Sequence, residues 1–98
     1  MPSNTTFSYV YVLESLKDKK RYTGYTKDLR RRIQQHNTQR SIATKPRTPL
    51  KLIYFEGCLN ELDAKRRENY LKTTQGRRFL GLRLIEYFKN KKGVLPES

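Results

Sequence analysis

Apolar and polar positions alternate from Phe7 to Glu14. Phe7, Tyr9, Tyr11 and Leu13 fall on one face, and Ser8, Val10, Val12 and Glu14 on the other. A period of two is that of a strand, and apolar residues on both faces predict a strand covered on both sides. Ser15 to Lys20 is a charged turn, and Arg21 to Tyr25 reads as the returning strand of a hairpin. Gly24 within it marks a bend or a close approach of backbone to another group. The period then lengthens. Asp28 is a helix cap, followed by Leu29, Ile33 and His36 at i, i+4 and i+7, a one-face helical pattern. Asn37 to Thr48 is a polar loop, and Leu50 to Glu56 a third strand. Asn60 caps a helix from Glu61 to about Lys72, and Gln75-Gly76 reads as a break. Leu80, Leu84 and Phe88 at i, i+4 and i+8 then predict one last helix, its stripe widened by Leu82, Ile85 and Tyr87. Gly81 inside that helix costs it ~1 kcal/mol relative to Ala.

The order β-β-α-β-α-α predicts an α+β fold, an α/β sandwich in which a small three-stranded antiparallel sheet is flanked by helices. Ninety-eight residues make one domain, placed at 7–90, with polar, frayed tails at 1–6 and 91–98. Hydrophobic residues are 35% and charged residues 32%, a polar balance, yet seven Tyr and four Phe give a core its bulk. No stretch is apolar for long enough to cross a membrane, and residues 1–6 lack the basic and apolar regions of a signal peptide. One Cys and one His leave no disulfide framework and no multi-cysteine zinc site, so an intracellular, cytoplasmic setting is the default.

Charge changes the picture most. Lys and Arg number 22 against nine Asp and Glu, a net +13. Such an excess implies a polyanionic partner, of which nucleic acid is the commonest. It is steepest over residues 15–47, with eleven Lys or Arg against two Asp.

Candidate chemistry follows from positions that resist a plain structural account. On the helix from Glu61 to about Lys72, Glu68 lies between Ala64 and Leu71, roughly 40° and 60° from them around the axis. If that face is buried, the carboxylate points inward, which is expensive without a cation or donors to meet it. The ordinary alternative is an ion pair with Lys65 or Lys72 on the same helix. Leu62 and Tyr70 point to the opposite side, which predicts a helix covered on two sides. Glu61 and Asp63 sit in the first turn, where the helix dipole favours acids. Arg32 flanks the buried stripe of the first helix, with His36 one turn on. Their ordinary roles are an i, i+4 ion pair with Asp28 and a half-buried histidine closing a helix C-terminus. Tyr9, Tyr11 and Tyr22 fall on neighbouring strands, where buried tyrosines usually pack with the hydroxyl satisfied.

Together these residues form a pattern. Tyr9-Val10-Tyr11, then Tyr22-Thr23-Gly24, Arg32 eight residues after that glycine, His36, and Glu68 on a later helix resemble the GIY-YIG nuclease superfamily. The resemblance runs from about Phe7 to Phe88. It is strongest to the small single-domain bacterial members, which resemble the N-terminal nuclease domain of the excision-repair incision enzyme, and so it points toward DNA repair. It includes local phrasing, Gly24-Tyr25-Thr26-Lys27-Asp28-Leu29 and Asp63-Ala64-Lys65-Arg66-Arg67-Glu68. The chain departs from the pattern at Tyr9, which stands for the first glycine, and at Thr23, which stands for an aliphatic residue. Leu80 stands where excision-repair members carry an asparagine.

The resemblance implies a metal-dependent endonuclease acting on DNA, with Tyr11, Tyr22, Arg32, His36 and Glu68 as catalytic residues and Glu68 as the metal ligand. Its chemistry is consistent with those roles. Mg²⁺ (or Mn²⁺) keeps most of its waters and can be held by one carboxylate plus substrate phosphate. Arg32 offers a planar fork matched to phosphate oxygens. Tyr11 or Tyr22 orients the attacking water or takes its proton, with His36 a candidate to share the task. Arg30, Arg31, Arg40, Lys45 and Arg47 are the candidate contacts to the DNA backbone. Branched, nicked or single-stranded DNA are the substrate shapes open to a chain this small, with a partner protein as one source of specificity. The competing reading is a module of the same fold that grips nucleic acid and cleaves weakly or not at all, since net charge reports binding only.

Overall fold

The computed structural model describes residues 6–38 and 48–91. Three strands, β1 (Ser8–Ser15), β2 (Arg21–Thr26) and β3 (Leu50–Cys58), form one sheet in the order β2-β1-β3, both pairings antiparallel. Helices α1 (Leu29–Asn37), α2 (Glu61–Leu71), α3 (Thr74–Arg83) and α4 (Ile85–Lys91) complete the described chain. The α+β class and the order β-β-α-β-α-α are those the sequence predicts, with the last predicted helix divided in two. No helix among the described residues is long and apolar enough to cross a membrane.

The chain divides into two compact units, Met1–Glu68 and Asn69–Ser98. In the first, β1 is the central strand, which is why both of its faces are buried and why its pattern is apolar on both. Tyr11, Leu13 and Leu50 form a core on one face, with Tyr22, Leu52, Leu29 and Ile33 packed against it, so α1 covers that face. A bulge between Val12 and Leu13 in the β1–β3 ladder sets Leu52, rather than Ile53, opposite Leu13.

Lys65 and Arg67 of α2 reach the other face. Val10 pairs with Tyr25 and Glu56 across the ladders, so all three share that face. Arg67 Nε reaches Glu56 Oε1 at 3.0 Å, and Lys65 Nζ lies 5.5 Å from the centre of the Tyr25 ring. Glu61 accepts from both Lys27 and Lys65, at 3.1 and 3.0 Å. The cover on α2 is one-sided: Ala64 is fully buried, whereas Leu62 is 68% exposed and Tyr70 is exposed. Among the described residues the expected second cover is therefore absent, because an apolar residue in sequence carries no information about what lies beside it.

In the second unit, Leu71 and Leu80 are buried. The expected break at Gln75-Gly76 is instead the first turn of α3. Thr73 caps that helix by accepting from the Gly76 N–H, and Gly76 is buried against the backbone of Tyr70 and Leu71, where a Cβ has no room. The expected single last helix is divided. Leu84, at φ −110° and ψ 30°, closes α3 before α4 begins.

Candidate active site

Tyr11 stands mid-β1, directly opposite Gly24 of the edge strand β2. Its side chain is 1% exposed, and its phenol lies over that glycine: a Cβ there would fall inside the ring, against Oη, Cζ and Cε1. This is the close approach that Gly24 signals in the sequence. Space left by the missing side chain lets the hydroxyl reach α1. Oη lies 3.0 Å from His36 Nε2 and accepts from Arg32 Nε at 3.3 Å.

Local chemistry positions α1. Asp28 accepts from the Arg31 N–H at 3.1 Å, and Thr26 Oγ1 accepts from the Asp28 N–H at 3.0 Å, so only Lys27 separates the end of the hairpin from the helix cap. At its other end, Asn37 brackets the start of β3, donating to Leu50 O at 3.0 Å and accepting from Leu50 N–H at 2.9 Å. Between these anchors Arg32 and His36 face the sheet. Asp28 is occupied as the cap, so Arg32 turns to the phenol, and its Nη1 donates to Gln35 Oε1 at 3.1 Å.

His36 is fully buried, and its ring meets those of Tyr11 and Tyr22 edge-on at 5.8 and 5.2 Å. Burial pushes its pKa below the ordinary histidine value, and the neighbouring Arg32 charge pushes the same way. The imidazole is therefore neutral at neutral pH. Burial pushes the Tyr11 phenol up. The hydrogen bond and charge of Arg32 pull it back, and the charges of Tyr22 and Glu68 raise it further. Arg32 is held more firmly protonated, first by its hydrogen bond to Tyr11.

Tyr11, Tyr22, Arg32 and His36 thus meet at one place. Glu68, half-buried on α2, bears on the same phenol by charge. Lys65, one expected partner for Glu68, is paired with Glu61. Among the described residues no three His, Cys, Asp or Glu side chains cluster to hold a metal ion. A largely hydrated Mg²⁺ asks for less, one carboxylate with waters and substrate phosphate, and Glu68 fits that donor set.

Arg30 and Arg31 are exposed on two sides of α1. Arg30 lines a groove of about 560 Å³ with Tyr9, Lys27, Leu29, Ile33 and Phe55. Arg31 lines another of about 370 Å³ with Arg32, Gln35 and Tyr25. Arg40, Lys45 and Arg47 lie outside the described residues. Sequence reasoning missed Gln35, Asn37 and Phe55. The i+3 spacing of Gln35 from Arg32 was a usable signal, and nothing in the pattern marks Phe55 apart from other strand aromatics.

The family model of the GIY-YIG catalytic domain matches residues 7–81, a span that includes Tyr11, Tyr22, Arg32, His36 and Glu68. The chain belongs to the GIY-YIG family. GIY-YIG proteins are a nuclease family, and the resemblance read from the sequence holds. A UPF0213 protein of Clostridium perfringens is 44% identical over 66 residues, 66% of this chain and 70% of that one. A UPF0213 protein of Streptococcus pneumoniae is 38% identical over 96 residues, 90% of this chain and 96% of that one. Among solved structures, the solution NMR structure of a UPF0213 protein from Bacillus halodurans is 34% identical with a TM-score of 0.48, over 76% of this chain and 81% of that one.

Proposed function

We propose that this GIY-YIG chain is a metal-dependent endonuclease that hydrolyses phosphodiester bonds in DNA, acting in the cytoplasm through a domain spanning residues 7–90. One observation carries the reading. The buried Tyr11 hydroxyl is met at once by a guanidinium and a neutral imidazole, under the field of a carboxylate, over a backbone reduced to glycine. A tyrosine that only packs needs one partner.

In this reading Arg32 holds a phosphate oxygen with the part of its fork not spent on Tyr11 and Gln35, and offsets the charge that grows there. Tyr11 takes a proton from the attacking water while its own hydroxyl proton passes to His36 Nε2. One proton leaves water, one arrives at His36, and Tyr11 begins and ends neutral. Burial suits both partners to this relay: it keeps the phenol protonated until water approaches and keeps the imidazole ready to accept. Tyr22 packs its ring against both and keeps bulk water from the pair. Glu68 would hold the Mg²⁺ (or Mn²⁺) ion, which when bound polarises the phosphate and relieves charge on the leaving oxygen. Arg30 and Arg31, with the loop cations Arg40, Lys45 and Arg47, grip the DNA backbone.

A module that binds without cutting is the second reading. It is favoured by Leu80, a buried side chain where excision-repair members place an asparagine. Incubating plasmid and branched DNA with Mg²⁺ or Mn²⁺ decides between them, comparing wild type with Glu68→Gln. Wild type should cut. The variant should lose cleavage about a hundredfold or more, with DNA affinity level or higher and melting temperature held. Cleavage retained per folded molecule would remove Glu68 from the metal site, and an inert wild type that still binds DNA would leave the binding module.

A further inference from the structure

The groove that Arg30 lines opens on the same sheet face as Tyr11, and it has a chemistry of its own. Tyr9 and Phe55 meet edge to face, with centroids 6.1 Å apart and planes at 65°. Phe55 is nevertheless 50% exposed. Tyr9, which stands where the family's first glycine stands, lies over Gly57, where a Cβ would sit 3.0 Å from its ring. Leu29 and Ile33 form the apolar wall. Around this floor the charge is positive. Arg30 is exposed and makes no ion pair among the described residues. Lys27 shares Glu61 with Lys65, which leaves it partly available. The one acid at the rim, Asp28, is held as the cap of α1.

An aromatic surface half in water, walled by aliphatics and rimmed by cations, matches an aromatic ring that carries a phosphate. We propose that this groove takes one unpaired nucleobase of the DNA substrate, stacked on Phe55, with Arg30 on the adjoining phosphate. The proposal relies on the nuclease reading for the identity of the polymer. Tyr9 and Tyr11 stand two residues apart on one face of β1, about 6.6 Å along the strand. The stacked base therefore belongs to a nucleotide next to the phosphate at Tyr11. A volume of about 560 Å³ is within the range of ligand pockets and is large enough for one such unit. Paired bases keep their faces in the duplex stack, so a gap, flap or single strand enters the groove and intact duplex does not. The substrate class that follows is DNA with an unpaired nucleotide beside the cut.

The test uses the full chain in EDTA, so that binding is read without cleavage. Fluorescence anisotropy compares a labelled oligothymidylate with a blunt duplex. Phe55→Ala should weaken the single strand about tenfold or more and leave the duplex within about twofold. Arg30→Ala should lower the single-strand salt slope by about 0.7. The chain has no Trp, so Phe55→Trp supplies a sole indole, expected to be quenched by the single strand and not by duplex. This second variant keeps the aromatic face and serves if Phe55→Ala fails to fold. Equal quenching by both DNAs, an unchanged single-strand affinity in Phe55→Ala, or a monomer–dimer shift on losing Phe55 would each overturn the proposal. Wild type that prefers single strands but never cuts would refute the nuclease reading and keep the groove. Wild type that cuts with no single-strand preference would refute the groove alone.

Discussion

Gly24→Ala places one methyl group where the Tyr11 phenol now lies. Tyr11 cannot swing aside freely, because it is buried and its rings' neighbours are Tyr22 and His36, while its hydroxyl is tied to Arg32 and His36. Overpacking of this kind costs about 1–3 kcal/mol. Pulling the hydroxyl from a charged donor costs about 1–3 kcal/mol more. Against this, replacing a strand glycine returns about 0.5–1 kcal/mol of backbone entropy. The expected net loss is about 2–4 kcal/mol, within the 5–15 kcal/mol that a domain has, so the variant folds. At about 4–8 °C per kcal/mol for a chain this size, its melting temperature should fall by about 8–32 °C. Cleavage per folded molecule should fall about a hundredfold, the usual result of displacing a reacting group by an ångström. Urea titration by circular dichroism and a cleavage assay on the same preparation measure both. In a Tyr11→Leu background the change should cost nothing further, because the atoms that it meets are gone. Stability within about 0.5 kcal/mol of wild type together with full cleavage would refute the placement of Tyr11.

Two more outcomes follow from the same network. His36 has its pKa lowered by burial, so its stability contribution is present above the ordinary value of about 6.5 and is lost as pH falls through the lowered folded value. Melting temperature should therefore drop more steeply below about pH 6.5 in wild type than in His36→Gln, and parallel profiles would show that the ring is not buried neutral. Arg32→Lys keeps the charge but loses the fork that serves Tyr11 and Gln35. Cleavage should fall about tenfold or more with DNA affinity nearly unchanged, and a fully active lysine variant would mean that a point charge suffices.

The parts of the molecule that were legible in advance are those with local causes. The hairpin, α1 and β3 follow from period, turn and cap, each written within a few residues. Asp28 does cap α1, and the Leu29, Ile33, His36 stripe does face the core. Around α3 the local signals pointed the wrong way. Gly76 reads as a helix breaker, yet it is required inside a helix because the backbone of Tyr70 and Leu71 comes too close for any side chain. The apolar stripe of Leu80, Leu84 and Phe88 continues in phase across Leu84, so periodicity could not show that the helix stops there.

For the candidate site, the sequence by itself determined which residues were available: two tyrosines, an arginine, a histidine and a glutamate, on a strongly basic chain. Only the tertiary structure decided how they are used. The hydroxyl of Tyr11 finds partners 21 and 25 residues away, and it reaches them because a glycine on the neighbouring strand leaves room for its ring. Whether Arg32 would turn to Asp28, its neighbour in sequence, or to Tyr11 was a competition between a cap already engaged with the backbone and a buried hydroxyl without a donor. Burial then set the proton affinities of His36 and Tyr11 in opposite directions, since each avoids its charged form away from water. Sequence spacing encodes faces and caps, which are local geometry. Desolvation and contact between distant segments exist only once the chain has folded, and the chemistry at Tyr11 depends on both.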